Sequence, residues 1–355
     1  MHFLTDREQQ EWRAFADEIL ISGAGPDQGM PEIRPDLIPA FYFYLATFLA
    51  AHGAGEQAMA WITPAVLIEE EGNFGCAYLL GFLQRYSNTL AKPATVFSDP
   101  RPFIHFTTVP LMTNARRTFV LESARSLPVF EEKIRFMDIG CGDGGLTVAL
   151  LFCILEEKKA PGINEVLLID PSPAMAALAE KTVRDAFSEI SIRTWNGKIQ
   201  DCSGAVGESY DIAMSSLAYH HMPVEDKRVH LRRLKPWINH FLLFEMDADH
   251  DTPERHSPEL ALAVYQSYGR IFDCIYAHDA PVEVANECID SFLMTEVASI
   301  LSEPRGERSD YHMLEGQWRS LLDEVLGPEF VLQRAISCSP DNQTGLFMLH
   351  YGRTV

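Results

Sequence analysis

The chemistry of this sequence is most legible at Asp138-Ile139-Gly140-Cys141-Gly142-Asp143-Gly144. The run lies between an apolar stretch from Ile134 that reads as a strand and a stretch from Leu146 to Lys159 that reads as a helix. Glycines at alternate positions let backbone approach a ligand closely, and a helix start offers its unbonded N–H groups to a carboxylate or phosphate. Asp170 ends the next strand-like run, 165–170, where an acid can accept hydrogen bonds from both hydroxyls of a ribose. The plainer alternatives are a tight strand-to-helix turn for the glycines and a helix cap for Asp170.

A second group follows the strand-like run 210–215. Tyr219, His220 and His221 fall at the carboxyl edge of the sheet, where open α/β folds place their chemistry. Either histidine could take a proton from a substrate hydroxyl or carboxylate, and the Tyr219 ring could face a cation; packing against a bound ligand is the alternative. Glu245 ends the run 240–246, and Asp247 and Asp249 follow, a carboxylate cluster that orients an amine or a base, or a solvated strand end. No metal site is expected, because adjacent histidines seldom converge on one ion.

The elements that must position these residues alternate. Strand-like runs at 134–139, 165–170, 190–195, 210–215 and 240–246 are each followed by helical or loop sequence, which predicts a mainly parallel, doubly wound α/β sheet. Two closing strands, near 330–336 and 344–352, bring the total to seven. Residues 1–129 read as a helical N-terminal domain: Thr5 and Glu8 form a capping box, and apolar residues recur at helical spacing through Trp12, Phe15, Ala16 and Ile19. Within the second domain, 130–355, the segment 247–324 is mostly helical and too long for an ordinary connection, so it is expected to cap the site.

Composition excludes several classes. Twenty-nine basic and fifty acidic residues give a formal charge of −21, which repels nucleic acid and anionic membranes. Seven cysteines without a CxxC pair suggest neither a disulfide framework nor zinc. The charged N-terminus has no apolar signal core, and no run approaches the roughly 18 to 20 apolar residues that span a bilayer. A soluble, cytoplasmic protein acting on a small molecule is expected; a homodimer is one expectation for its assembly.

The glycine run resembles the first motif of the class I methyltransferases that use S-adenosylmethionine (SAM), and Asp170 to Met175 resembles their second. Tyr210 to Leu217 is similar to their fourth. The resemblance implies a Rossmann-like fold and SAM as cofactor. It places Gly140, Gly142 and Gly144 at the methionine end, Asp170 at the ribose and Met175 near adenine, and counts Asp138, Cys141, Pro171, Ser216 and Leu217 among the cofactor-binding residues. The interval from Asp143 to Asp170 is stretched around residues 158–164, and Lys198 stands where many members carry an acid, next to the adenine-side candidates Ile199 and Gln200.

The C-terminal third also resembles the GRAS family, through Tyr265, Tyr268, Phe272, Asp273, Glu296, Arg305, Glu307, Arg308, His312 and Trp318. Plant GRAS proteins are chiefly transcriptional regulators, whereas bacterial members with an intact glycine motif look like small-molecule methylases. Arg305 and Arg308 would pair with Glu296 and Glu307, or reach a substrate carboxylate. Because the glycine loop and the ribose acid are both present, the expected reaction is SAM-dependent methyl transfer to an O or N atom of a metabolite. Two rivals stand beside it: a cyclase or lyase that acts on SAM itself, releasing methylthioadenosine, and a GRAS-like interaction protein without catalysis.

Overall fold

The computed structural model describes all residues except 1, 71, 91–100, 199, 202–208, 340–344 and 355. Helix α1 (Asp6–Ser22) starts as its sequence predicts, with the Thr5 hydroxyl accepting from the Glu8 N–H and the Glu8 carboxylate accepting from the Thr5 N–H at 2.7 Å. It is followed by α2 (Ile38–Ala51), α3 (Gly55–Ile62), α4 (Gly75–Arg85), α5 (Arg101–Thr108) and α6 (Pro110–Ser126). The alternating region comprises β1 (Ile134–Ile139), α7 (Gly145–Glu156), β2 (Ile163–Asp170), α8 (Pro173–Ala186), β3 (Ser191–Asn196), β4 (Tyr210–Ser216), α9 (Val224–Leu234) and β5 (Ile238–Met246). Then come α10 (Pro258–Ala277), α11 (Val282–Cys288), α12 (Met294–Ser302), α13 (Glu315–Leu326), β6 (Phe330–Ser337) and β7 (Leu346–Arg353).

The seven strands form one sheet in the order β3-β2-β1-β4-β5-β7-β6. All pairs from β3 to β5 are parallel, and β7 is antiparallel to both β5 and β6. The expected doubly wound, mainly parallel sheet is therefore present, with its closing pair of strands. The strand order reverses between β1 and β4, so the loops leaving these two neighbours diverge at their carboxyl ends, which is where such sheets bind ligands.

Alternation along the strands sends successive side chains to opposite faces. Met137, Ile139, Leu167, Ile169, Phe241 and Leu243 enter one core with Leu231 and Leu234 of α9 and Trp318, Leu321 and Leu322 of α13. Phe244, one step out of phase with Leu243, meets Phe119 of α6 on the other face, with ring centroids 5.2 Å apart. Asp138 shares this second phase with Phe136, which turns its carboxylate toward α7.

The chain divides into two compact units, Met1–Val96 with Ala248–Tyr311, and Phe97–Asp247 with His312–Val355. These differ from the division drawn at residue 129, and packing gives the reason. Helix α10, from the expected cap, packs on α2 and α4, so it joins the N-terminal helices; α6 packs on α7 and β7, so it joins the sheet. The first unit is built around α2, which is apolar on every side and correspondingly buried along nearly its whole length. Trp12 of α1 meets Phe41 and Tyr44 of α2 at 5.1 and 5.8 Å between centroids.

Candidate cofactor and reaction site

The loop after β1 is held from below by β2. The N–H groups of Gly140 and Cys141 both donate to the Ile169 carbonyl, at 2.8 and 3.0 Å. Gly140 has φ +75°, and a Cβ built on it would lie 2.3 Å from the Ala218 Cβ, so glycine is required where the loops after β1 and β4 touch. Gly142, at φ +53°, faces the Phe103 ring and the Met175 methyl group. Gly144 precedes α7, whose first N–H, on Gly145, is capped by Asp143 Oδ1 at 3.0 Å.

Three acids surround this loop. Asp170 Oδ2 accepts from the Gly142 N–H at 3.1 Å, and Oδ1 accepts from the Ser172 N–H at 2.9 Å. Burial raises the Asp170 pKa, while these two bonds and nearby His221 oppose the rise. Asp138 is almost wholly buried; one oxygen accepts from the Thr147 hydroxyl of α7, and the other, Oδ1, has no hydrogen-bond partner among the described residues. Burial, more than the neighbouring charge of Asp170, pushes Asp138 up to about 7 against the pull of the Thr147 bond. Asp143 is the third, and Arg116 of α6 approaches it, Nη2 to Oδ1, at 3.9 Å.

The loop after β4 is organised by Glu245. This fully buried carboxylate accepts from the N–H groups of Ala218 and Tyr219 at 3.2 and 3.0 Å through Oε1, and Oε2 lies 2.9 Å from His220 Nδ1. A carboxylate at that distance accepts from a proton-bearing Nδ1, which orients the ring. The His220 ring stacks on His312 at 4.1 Å between centroids. His221 is exposed. Leu217 holds φ +49°, an unusual conformation for a branched side chain, while its N–H donates to the Phe244 carbonyl at 2.8 Å.

Several expectations are corrected. Tyr219 does not present its ring to a ligand: it is fully buried, its hydroxyl lies 2.7 Å from His230 Nδ1, and its ring packs among Phe241 and Trp318. The carboxylates after β5, read as a cluster, each make a local bond. Asp247 caps α13 through the Glu315 N–H at 2.7 Å, and Asp249 bonds the Thr252 N–H at 3.0 Å.

The other candidates are simply placed. Met175 is buried in the first turn of α8, Pro171 is exposed, Ser216 and Leu217 are half-buried, and Gln200 is half-buried just past β3. Ile199 lies outside the described residues. Among the GRAS-like positions, Tyr268 donates to Glu296 at 2.6 Å, and Tyr265 donates to Glu69 at 3.0 Å. Arg305 pairs with Asp251 at 2.7 Å, and Arg308 donates to the His250 carbonyl at 2.9 Å.

Sequence reasoning missed Arg116, Thr147 and Phe103. Thr147 had a readable signal, a hydroxyl three residues past Gly144 on a helix that follows an acid-bearing strand. Arg116 and Phe103 had none, because their helices meet the loop only in the folded chain.

A parallel sheet of this order, with an acid-led glycine loop after β1, an acid ending β2 and the reversal at β1 and β4, defines a Rossmann-like methyltransferase fold. Residues 136–239 match the methyltransferase domain family. The chain is 32% identical over 109 residues to the probable S-adenosylmethionine-dependent methyltransferase CRG1 of Saccharomyces cerevisiae, a match covering 30% of this chain and 34% of that protein. The similarity thus spans about a third of the relative's length. Among solved structures, SCL7 from Oryza sativa is similar at TM-score 0.59 and 14% identity, over 87% of this chain and 99% of that one, a likeness of fold. Magnesium protoporphyrin IX methyltransferase from Synechocystis PCC 6803 is similar at TM-score 0.40 and 13% identity, over 78% of this chain and 96% of that one.

Proposed function

We propose that the protein is an enzyme that transfers the methyl group of SAM to an oxygen or nitrogen of a small molecule. The observation that carries this reading is the charge around the glycine loop: Asp138, Asp143 and Asp170, with Arg116 as a neighbouring cation. A loop with that surplus of negative charge disfavours a pyrophosphate, which the glycine loops of nicotinamide-binding folds accept, and suits a ligand bearing a sulfonium and an ammonium. The unpartnered Asp138 oxygen fits the same ligand, since a buried carboxylate without a donor is costly until a positive charge approaches.

The residues divide the work. Asp170 holds the ribose, the glycines admit the methionine portion, and Met175 packs beside the loop. When bound, SAM supplies an electrophilic methyl group on sulfur. The chain aligns a nucleophile with it and excludes water, and alignment alone is a large part of such a rate enhancement. His220, with Nδ1 held by Glu245, offers Nε2 as the acceptor for the proton that the nucleophile sheds.

The test is calorimetric titration with SAM and S-adenosylhomocysteine, followed by incubation with SAM and candidate acceptors and mass analysis of products. The reading expects binding of both nucleosides and S-adenosylhomocysteine formed together with a methylated acceptor. Absence of binding overturns it, and enzyme-dependent methylthioadenosine from SAM alone replaces methyl transfer with chemistry on SAM itself.

A further inference from the structure

The end of β5 holds two different segments of the chain. Glu245 takes His220 on the loop after β4, Oε2 to Nδ1 at 2.9 Å. Two residues further on, the backbone of Asp247 pairs with Met313 as a parallel bridge, and Asp247 Oδ1 accepts from the Glu315 N–H at 2.7 Å, which fastens the segment leading into α13. His312 precedes that bridge by one residue. A single strand end therefore sets where both imidazoles stand.

The consequence is a stack. The rings of His220 and His312 are 4.1 Å apart between centroids and 25° from parallel, and the two residues are 4% and 1% exposed. The bond to Glu245 fixes one atom of the His220 ring but leaves the ring free to swing about it, because the torsion that turns an imidazole is broad. A flat neighbour pressed on the face of the ring removes that freedom. His221 is no substitute: its ring is 4.2 Å away but tilted by 59°, and the residue is exposed.

We infer that His312 is a positioning residue for the reaction: its ring holds the plane of His220, so that the nitrogen opposite Glu245 keeps one direction when the acceptor loses its proton. This rests on the reading above, in which His220 is the proton acceptor.

A ring held in this way has a signature that precedes turnover, since an Nδ1 proton shared with a buried carboxylate exchanges slowly with water. Proton NMR of the full-length chain with isotope-labelled histidine is expected to show that proton in the wild type, assigned by its disappearance in His220→Ala. His312→Ala should broaden or abolish it, and His312→Phe, which keeps a flat ring, should retain it. Calorimetric affinity for S-adenosylhomocysteine should stay within about twofold of wild type in both variants, the control for an intact fold. Where His312→Ala loses that affinity, His312→Gln, closer in volume, takes its place. With an acceptor that turns over, kcat should fall roughly 10- to 100-fold in His312→Ala with KM little changed, the cost of a reacting group displaced by about 1 Å, and should recover in large part in His312→Phe. A His220 proton undisturbed in His312→Ala overturns the inference, as does one lost equally in His312→Phe while S-adenosylhomocysteine still binds, which would give the ring nitrogens of His312 the role instead of its face. A wild type that does not bind S-adenosylhomocysteine overturns the SAM reading, and the reaction role of His312 with it, whatever the NMR shows.

Discussion

Asp170 Oδ2 accepts the Gly142 N–H at 3.1 Å, so the acid that ends β2 and the middle glycine of the loop after β1 form one hydrogen-bonded unit. The residue assigned to the ribose is thereby also a brace for the loop that admits the rest of the ligand. Asp170→Ala removes this acceptor and the one serving the Ser172 N–H. It is expected to destabilise the fold by about 1–3 kcal/mol and to abolish measurable binding of S-adenosylhomocysteine. Denaturant melts and calorimetry check this, and a variant that binds normally would remove Asp170 from the site.

Gly140 makes a sharper structural prediction, because two separate costs meet there. Gly140→Ala places a methyl group 2.3 Å from the Ala218 Cβ and strains a backbone at φ +75°. The single variant is expected to lose at least about 1 kcal/mol of stability. Adding Ala218→Gly relieves the collision and leaves the backbone strain, so the double variant should recover only part of the loss. Additive effects in this cycle would mean that the two loops do not touch there.

How much of this was legible in the sequence follows from how local each signal is. The strand, glycine loop and helix at 134–159 are contiguous, and Asp170 ends a contiguous apolar strand, so that half of the site was readable. Tyr219 was misread because residues following a parallel strand can face the ligand or turn back into the core, and the partner that decides, His230, lies a helix away. Arg116 was invisible because nothing in the sequence of α6 states which side packs on α7. The two compact units divide the chain elsewhere than at 129 for a similar reason: packing between distant segments, α10 on α2, groups those segments together.

Asp138 predicts a pH dependence with a definite sign. Its folded pKa, raised to about 7 by burial, stands above its ordinary value of 3.8, so between these values the folded chain binds more protons than the unfolded one. Its contribution to stability is therefore full below about pH 4 and is lost as pH rises through 7. Asp138→Asn removes that dependence, and its melting temperature relative to wild type should climb steadily from pH 4 to 8. A constant offset across that range would show that Asp138 titrates normally.

Glu245 should separate loop architecture from proton transfer. Glu245→Leu leaves the buried N–H groups of Ala218 and Tyr219 without their acceptor and is expected to cost about 2–5 kcal/mol. His220→Ala keeps both of those bonds, so it should melt closer to wild type while lowering kcat by roughly 100-fold or more with little change in affinity for SAM. Comparable activity in His220→Ala and wild type would exclude His220 as the proton acceptor.

A second histidine pair sits away from the loop and has a different consequence. The Ser126 hydroxyl donates to the Ser123 carbonyl at 3.0 Å, so its oxygen accepts from His350 Nδ1 at 2.8 Å. His350 Nε2 must then be the acceptor for His240 Nδ1, 3.0 Å away, and both rings are neutral in this chain of donors. Burial lowers His240 to about 4 and His350 to about 3. Because both folded values lie below the ordinary 6.5, the pair supports the fold fully above pH 6.5, and that support fades as pH falls toward 4 and below. For His240 alone the loss is on the order of 3 kcal/mol. His240→Phe with His350→Leu should flatten the acid side of the stability curve between pH 6.5 and 4, and nitrogen NMR of the wild type should show both rings protonated at Nδ1. An unchanged acid limb in the double variant would place the acid sensitivity elsewhere, in groups that do not share this hydrogen-bonded chain.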